Sequence, residues 1–555
     1  MRHLKKIFKT EYVILAAIIF TAIFLRSYQH KEFLSFQLDQ SRDAIIVGNF
    51  VREGFSKIPL LGPHISGSTL QLGPAYYYLL SASAFLFGTN PNSFAIPDWF
   101  FSVLFVALLY PFFRLYFSKI TSLALTAIAG TSLFLVIYGR FAWNPNSLPF
   151  FTLLALFGLL KADWKNIVHP GWFYLAIFSA GIATQLHYIY FFIAPILIII
   201  FLIIWKPKLK FKQYFFGFLI ILALYFPMII SEITTKGDNT KLLFKNTMER
   251  VPTAEDDHNV ADKTFYAFQK MEIINWQMIT ADEHGSSMKL SKKFLPVCSK
   301  QCRKDLPFLI AQTFIFLAGI AASIFSYLRE QDRDRKKFIF MSWAWAGLMF
   351  IISIPIIYRM SPYYYLAAVP PIFVFLGMIF EKTKIFFGRH ANLAVVLMAS
   401  AFIFFNVKND ITFLRQHKAL AKDNVEDMVG RVIYDDMKVT LEQMERAVAY
   451  IIENKKTNSP VRVVVDNTFA RAVFYLLEYE HGIPACYIKT SSFHLSGNED
   501  HFFIYRRSIN EEMPEEFNSQ FTIKNQLKFG NILVIDAKAK NPASDPKEAS
   551  SCHKF

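Results

Sequence analysis

Asp39 and Asp43 stand four residues apart in 38–54 (LDQSRDAIIVGNFVREG), a stretch with an amphipathic helical pattern. That spacing puts both carboxylates on one helix face, with Arg42 beside them. A carboxylate so placed, with a guanidinium to hold its charge, can act as general base towards an acceptor hydroxyl. The same residues also fit a solvated helix carrying a salt bridge. Three further segments gather polar groups at the ends of apolar runs. Residues 138–146 (YGRFAWNPN) join Arg140 to an indole and to Asn144, although Asn-Pro-Asn is also ordinary turn chemistry. Residues 185–188 place His187 in a tight turn, where an imidazole is commonly just a satisfied polar tip. Residues 358–365 (YRMSPYYY) set Arg359 among tyrosines that include Tyr363 and Tyr364. Interfacial belts account for tyrosines generically, whereas a guanidinium is the preferred partner of a lipid phosphate.

The elements that must position these groups are membrane spans. The 555-residue chain is 54% hydrophobic and 18% charged, with 60 Phe and 25 Tyr. Its apolar residues form unbroken runs, such as 188–205 (YIYFFIAPILIIIFLIIW) and 214–230, rather than amphipathic stripes. Spans are expected near 11–27, 95–113, 120–137, 147–160, 171–187, 188–205, 214–231, 306–327, 338–357, 364–380 and 391–407, about eleven crossings. Arg26-Ser27-Tyr28 follows the first apolar run in place of a small-residue cleavage site, so an uncleaved span with a cytoplasmic N-terminus is expected. The net charge of +16 comes largely from short connections: Arg2, Lys5, Lys6 and Lys9; Lys206, Lys208, Lys210 and Lys212; Arg333, Arg335, Lys336 and Lys337; Lys382, Lys384 and Arg389. This is the positive-inside pattern of cytoplasmic loops, and it argues against a nucleic-acid partner.

Charge also orders the loops. The connection 114–119 (RLYFSK) is basic and 88–98 (GTNPNSFAIPD) is not, which places the first inside and the second outside. The Gly/Pro-led, Tyr-rich stretch 73–88 is then an interfacial helix rather than a crossing. The long loops 28–94 and 232–305 fall outside, as does everything after the last span. A transmembrane domain over 1–410 is followed by a soluble pattern over 411–540. There 441–454 is helical and 461–466, 485–489, 502–506 and 532–536 read as strands. The fold class is thus a polytopic α-helical membrane protein with a small C-terminal α/β extracytoplasmic domain. Residues 541–555 read as a disordered tail. Cys298 and Cys302 could pair locally in the outer loop, and they lack neighbours at zinc-site spacing.

The spans hold almost no ionisable residues, and Asp98 and His187 fall at span ends. A carrier usually has mid-bilayer carboxylates or broken helices. A transporter or lipid flippase is therefore a weaker alternative, as is a non-catalytic scaffold with an outer α/β binding domain.

The chain resembles the GT-C superfamily of membrane glycosyltransferases, in its family 39-like branch of protein O-mannosyltransferases and aminoarabinose transferases. Asp39-Gln40-Ser41-Arg42-Asp43 stands where that branch has an Asp-Glu-x-Arg type motif, in the first outer loop. Leu72-Gly73-Pro74-Ala75-Tyr76-Tyr77 stands where it has a Lys/His-Pro-Pro-Leu-Tyr segment, keeping one Pro and the Tyr but lacking the basic residue. Gly139-Arg140 matches a second outer motif, with Asn144 near the place of its Asp. The resemblance implies a polyprenyl-phosphate sugar donor, an acceptor hydroxyl on a glycan, lipid or protein, and direct displacement with inversion. It implies Asp39 as base, assisted by Arg42 and Asp43. Arg42, Arg140 and Arg359 are candidates to bind the phosphate or offset its growing charge, Arg359 foremost, and Tyr363 and Tyr364 to pack on the prenyl chain or headgroup, with Asn144 and His187 completing the substrate site. Branches of the superfamily differ in metal use, which leaves a divalent cation open and names no metal ligand here.

Overall fold

A computed structural model gives the architecture, and it describes residues 2–65, 69–248, 259–280, 289–290, 296–297, 300–420, 439–455, 460–465, 467–488, 501–506 and 515–540. Cys298, the Cys302 side chain and the 541–555 tail lie outside the described residues. The chain forms two compact units that interleave in sequence. One comprises Met1–Tyr28, Pro59–Leu79 and Pro97–Asp410; the other comprises Gln29–Ile58, Leu80–Ile96 and Ile411–Phe555.

Helices run in the order α1 (Arg2–Ser27), α2 (Leu38–Glu53), α3 (Ala75–Phe87), α4 (Pro91–Phe113), α5 (Lys119–Gly130), α6 (Leu133–Tyr138), α7 (Leu148–Ala162) and α8 (Pro170–Leu186). Then come α9 (Tyr188–Ile200), α10 (Phe211–Thr234), α11 (Asp238–Met248), α12 (Val260–Thr280), α13 (Lys300–Arg329), α14 (Arg333–Ser353), α15 (Val369–Phe387) and α16 (Ala391–Leu420). Among the described residues, 7 helical segments are long and apolar enough to cross a bilayer, and α3, α5 and α7 are shorter apolar helices. The protein is a multi-pass membrane protein. At 13 residues, α3 is about 20 Å long, well short of a hydrocarbon core of roughly 30 Å.

Within the first unit, α7 packs on α8, α8 on α10, α9 on α14 and α13 on α15. A Cβ at Gly158 would stand 2.8 Å from the Trp172 carbonyl, so glycine sets the close approach of α7 and α8. The expected span 120–137 is two helices. The hydroxyl of Ser132 accepts from the Leu135 N–H and starts α6, ending the run after Gly130. The loop expected over 232–305 contains α12, which buries Ala267, Ile274 and Met278 on one face. Its last carbonyls, which have no partner inside the helix, are met from elsewhere. Ser132 Oγ donates to Met278 O at 2.6 Å, Asn406 Nδ2 to Ile279 O at 2.9 Å and Asn409 Nδ2 to Thr280 O at 2.9 Å.

The second unit is built on a five-stranded mixed sheet. Its strands are β1 (Val461–Val465), β2 (Ala485–Ile488), β3 (His501–Arg506), β4 (Phe521–Phe529) and β5 (Ile532–Ala539). The spatial order is β2-β1-β3-β5-β4, with β1 parallel to both neighbours and β5 antiparallel to both of its own. Val464, Cys486, Phe503, Phe521 and Ile535 form a core on the sheet, with Phe517 against them. Helix α17 (Leu441–Asn454) turns Leu441, Met444, Val448 and Ile451 inward, and α18 (Asn467–Phe474) crosses between β1 and β2.

The helix α2 belongs to this unit. Gln37 Nε2 donates to Val439 O at 2.9 Å, and the Leu441 N–H donates to Leu34 O at 2.8 Å. Tyr479 Oη donates to Asn49 Oδ1, and Arg52 Nη2 donates to Tyr479 O at 2.6 Å. The Arg52 guanidinium also lies 4.4 Å above the Tyr479 ring. Because Gly48 has no side chain, that ring lies close against the helix; a Cβ there would meet it at 3.3 Å.

Candidate active site

Local chemistry explains how α2 presents its acids. Gln40, which stands where the resembled motif has Glu, accepts the Gln37 N–H on its Oε1 at 3.1 Å and so caps the first turn. Asp39 lies in that first turn, where the helix dipole favours negative charge. Arg42 then clasps both acids: its Nη1 is 2.8 Å from Asp39 Oδ1, and its Nε and Nη2 are 2.8 Å and 2.7 Å from Asp43 Oδ1. The two acids differ in access. The Asp43 side chain is 1% exposed and the Asp39 side chain 42%. Asp43 therefore anchors the guanidinium, and Asp39 is the carboxylate that a solute can reach.

In the first unit, the 138–146 segment is organised by Asp98, which is fully buried. Its carboxylate accepts from the Trp143 N–H at 2.9 Å, from Tyr76 Oη at 2.9 Å and from Ser147 Oγ. A buried carboxylate needs such donors, because charge without partners is costly in a low-dielectric interior. Arg140 is buried and donates to Leu25 O at 2.8 Å and Tyr28 O at 2.7 Å, capping the end of α1. Asn144 Nδ2 donates to Leu186 O at 2.6 Å. His187 Nδ1 accepts from the Ile189 N–H at 3.3 Å, which leaves the ring proton on Nε2. Three of the residues expected at the substrate thus have backbone partners within the bundle.

These contacts hold an aromatic cluster together. Trp143 lies 4.4 Å from Tyr363 between ring centroids, Tyr363 lies 4.5 Å from Tyr364, and Tyr364 lies 5.1 Å from His187. Tyr188 stacks on His187 at 4.9 Å. Arg359, which is exposed, acts electrostatically on the Tyr188 hydroxyl from the end of a short helix, Ile354–Arg359. Lys270 of α12 donates to the carbonyls of Ile357 and Met360, on either side of Arg359. Segments 138–146, 185–188 and 358–365 therefore meet within one unit, while Asp39, Arg42 and Asp43 belong to the other. The organising roles of Asp98 and Lys270 were missed in the sequence. Asp98 had a signal in being the lone carboxylate at the start of an apolar helix, and Lys270 sat inside a segment read as loop. Among the described residues, no three His, Cys, Asp or Glu side chains come together as a metal site.

Residues 71–230 match the family model described as dolichyl-phosphate-mannose-protein mannosyltransferase. Among solved structures, ArnT from Cupriavidus metallidurans bound to undecaprenyl phosphate is similar with a TM-score of 0.53 and 10% identity, over 96% of this chain and 99% of that one. The family match is confined to residues 71–230, and the likeness to the solved structure is one of fold. The apo form of the same ArnT gives a TM-score of 0.53 and 11% identity, over 95% and 97% of the two chains. The apo oligosaccharyltransferase of Archaeoglobus fulgidus gives 0.49 and 13%, over 89% of this chain and 69% of that one. No curated protein matches in sequence. The family segment includes Asp98, Arg140, Asn144 and His187, and α2 precedes it.

Proposed function

We propose that this protein is a GT-C glycosyltransferase that moves a sugar from a polyprenyl-phosphate donor to an acceptor hydroxyl at the extracytoplasmic face, with Asp39 as general base. The observation that carries the reading is the Asp39–Arg42–Asp43 clasp, with one acid buried and the other reachable. In the reaction, the acceptor oxygen attacks the anomeric carbon as Asp39 takes its proton. The bond from that carbon to the phosphate oxygen breaks with inversion, and polyprenyl phosphate leaves with the bonding pair. Arg42 holds the Asp39 carboxylate in its attacking rotamer, and Asp43 holds Arg42. The exposed guanidinium of Arg359 binds the donor phosphate and offsets the charge that grows on it. Tyr363, Tyr364 and Trp143 pack on the donor headgroup, and His187 Nε2–H is a donor towards it. Arg140 and Asn144 act through the backbone they brace.

Two observations support the extracytoplasmic setting. Basic residues concentrate in the connections 206–212, 333–337 and 382–389 between apolar helices, the pattern of cytoplasmic loops. Cys486 of β2 is disulfide-bonded, which fits an oxidising compartment. The likeness to ArnT bound to undecaprenyl phosphate supports the donor class. The test is transfer of radiolabelled sugar from polyprenyl-phosphate donors by the purified full chain. Asp39→Asn is expected to abolish transfer, a fall of at least about a thousandfold, with normal membrane insertion. Transfer at the wild-type rate by that variant removes Asp39 from the mechanism.

A further inference from the structure

The exposed guanidinium of Arg359 is carried on backbone that another helix holds. After α14 ends at Ser353, Ile354–Arg359 forms a short, tighter helix with Pro355 in its first turn. Carbonyls at a helix end have no donor within the helix, and such ends fray when nothing meets them. Here α12 meets them. Lys270 Nζ donates to Ile357 O at 3.3 Å and to Met360 O, so one ammonium bridges the chain on either side of Arg359. One turn earlier on α12, the Tyr266 ring lies 5.2 Å from the ring of Tyr358, the residue before Arg359. The same Tyr266 ring lies 5.7 Å from the Lys270 ammonium. Ile357 and Met360 are buried, so the fastening lies beneath the surface that exposes Arg359. The support is itself fixed, because the last carbonyls of α12 accept from Ser132 at the start of α6 and from Asn406 and Asn409 of α16.

We propose that Lys270 is a positioning residue for the donor phosphate, holding the 357–360 backbone so that Arg359 meets the phosphate in a preset orientation. The inference rests on the assignment of that phosphate to Arg359. A cation at a helix C-terminus is favourable in itself, and a lysine that only capped the helix would account for the bond to Ile357 O. It would not account for the second bond, to a carbonyl beyond the helix. The two bonds together close a loop over 357–360 with Arg359 inside it. Arginine has a long, rotamer-rich side chain, and ordering it together with its backbone on binding lowers affinity. Backbone ordered beforehand removes part of that cost. Because its N–H groups are directed at carbonyls, Lys270 acts through Arg359 rather than as a second phosphate ligand. Loss of Lys270 therefore weakens donor binding only while Arg359 is present.

The test uses the purified full chain and combines Lys270→Met, Lys270→Arg and Arg359→Gln. Hydrogen exchange, which needs no substrate, is followed on the peptide covering 354–361, and initial rates are measured over a donor series at fixed acceptor. Lys270→Met keeps the length of the side chain and loses its donors. It is expected to accelerate exchange of that peptide at least about fivefold. It is also expected to raise the donor KM about tenfold, with kcat within about twofold of the wild type. Lys270→Arg can still donate to both carbonyls and is expected to recover most of both effects. In the Arg359→Gln background, Lys270→Met is expected to add nothing to the donor KM. Unaltered exchange or an unaltered donor KM in Lys270→Met overturns the inference. So does a KM effect that persists undiminished in the Arg359→Gln background, which would make Lys270 a phosphate ligand. Loss of folded protein, or a fall in kcat as large as the rise in KM, overturns it too, by making Lys270 a general structural residue. An unchanged donor KM in Arg359→Gln alone is a different failure: it removes the phosphate from Arg359, and the inference with it.

Discussion

Arg359 and Arg140 show how much a side chain's partners decide what an arginine can do. Both flank tyrosine-containing segments at helix ends, and from residue type alone both suit a lipid phosphate. Arg140 is buried against two backbone carbonyls at the end of α1, while Arg359 is exposed beside Tyr188. A charge-assisted bond to phosphate contributes about 1.5–3 kcal/mol. Arg359→Gln is therefore expected to raise the donor KM by roughly 10- to 100-fold, with a smaller change in kcat. Arg359→Lys retains the charge without the planar fork and should recover part of that loss. Initial rates over a donor series decide it, and an unchanged donor KM in Arg359→Gln would move the phosphate elsewhere. The polar clusters themselves were legible, because 138–146, 185–188 and 358–365 stand out as polar breaks between apolar runs. Which members have backbone partners was not, since those carbonyls belong to helices distant in sequence. Gln40 looked like a departure from a motif, and only the geometry of α2 assigns it to the helix cap.

Elements follow the same logic of local against distant cause. The apolar runs gave their helices because a uniform hydrophobic stretch leaves the backbone no other way to satisfy its hydrogen bonds in lipid. Helix α12 escaped because its mixed charges resemble a loop, and its end is completed by Ser132, Asn406 and Asn409 from other helices. Strand β4 escaped because a bulge between Ile523 and Asn525 shifts its register, and the two-residue alternation breaks there. The placement of α2 against the C-terminal sheet domain was equally invisible, and it has a consequence for catalysis. Tyr479 supplies a hydrogen bond to Asn49, a ring beneath Arg52 and the surface that Gly48 admits. Tyr479→Phe loses only the hydroxyl, about 1 kcal/mol. Tyr479→Ala loses the ring as well, about 2–4 kcal/mol. Hydrogen exchange of α2 is expected to accelerate at least tenfold in Tyr479→Ala and only slightly in Tyr479→Phe, with kcat falling in the same order. Unaltered exchange in Tyr479→Ala would deny the C-terminal domain any part in holding the Asp39 helix.

At the scale of the whole molecule, the reaction proposed here requires a consistent topology. The polyprenyl phosphate, the Asp39 helix and the α/β domain must all be served from the non-cytosolic face. Loop charge makes that assignment through the basic connections, and it has one weak joint, the stretch now seen as α3. If α3 crossed the bilayer, residues 56 and 92 would face opposite compartments, and the signs of all later loops would invert. A helix of 13 residues spans about 20 Å, too short for a hydrocarbon core of roughly 30 Å unless the bilayer thins. Single cysteines with the natural thiols blocked test this in intact cells with a membrane-impermeant maleimide. Ser56→Cys, exposed on the loop after α2, and Asn92→Cys, at the start of α4, are both expected to label from outside. Lys208→Cys, exposed between α9 and α10, is expected to label only after permeabilisation. Opposite behaviour of positions 56 and 92 would make α3 a crossing. Labelling of 208 from outside would put the sheet domain in the cytosol, where a disulfide at Cys486 would not persist.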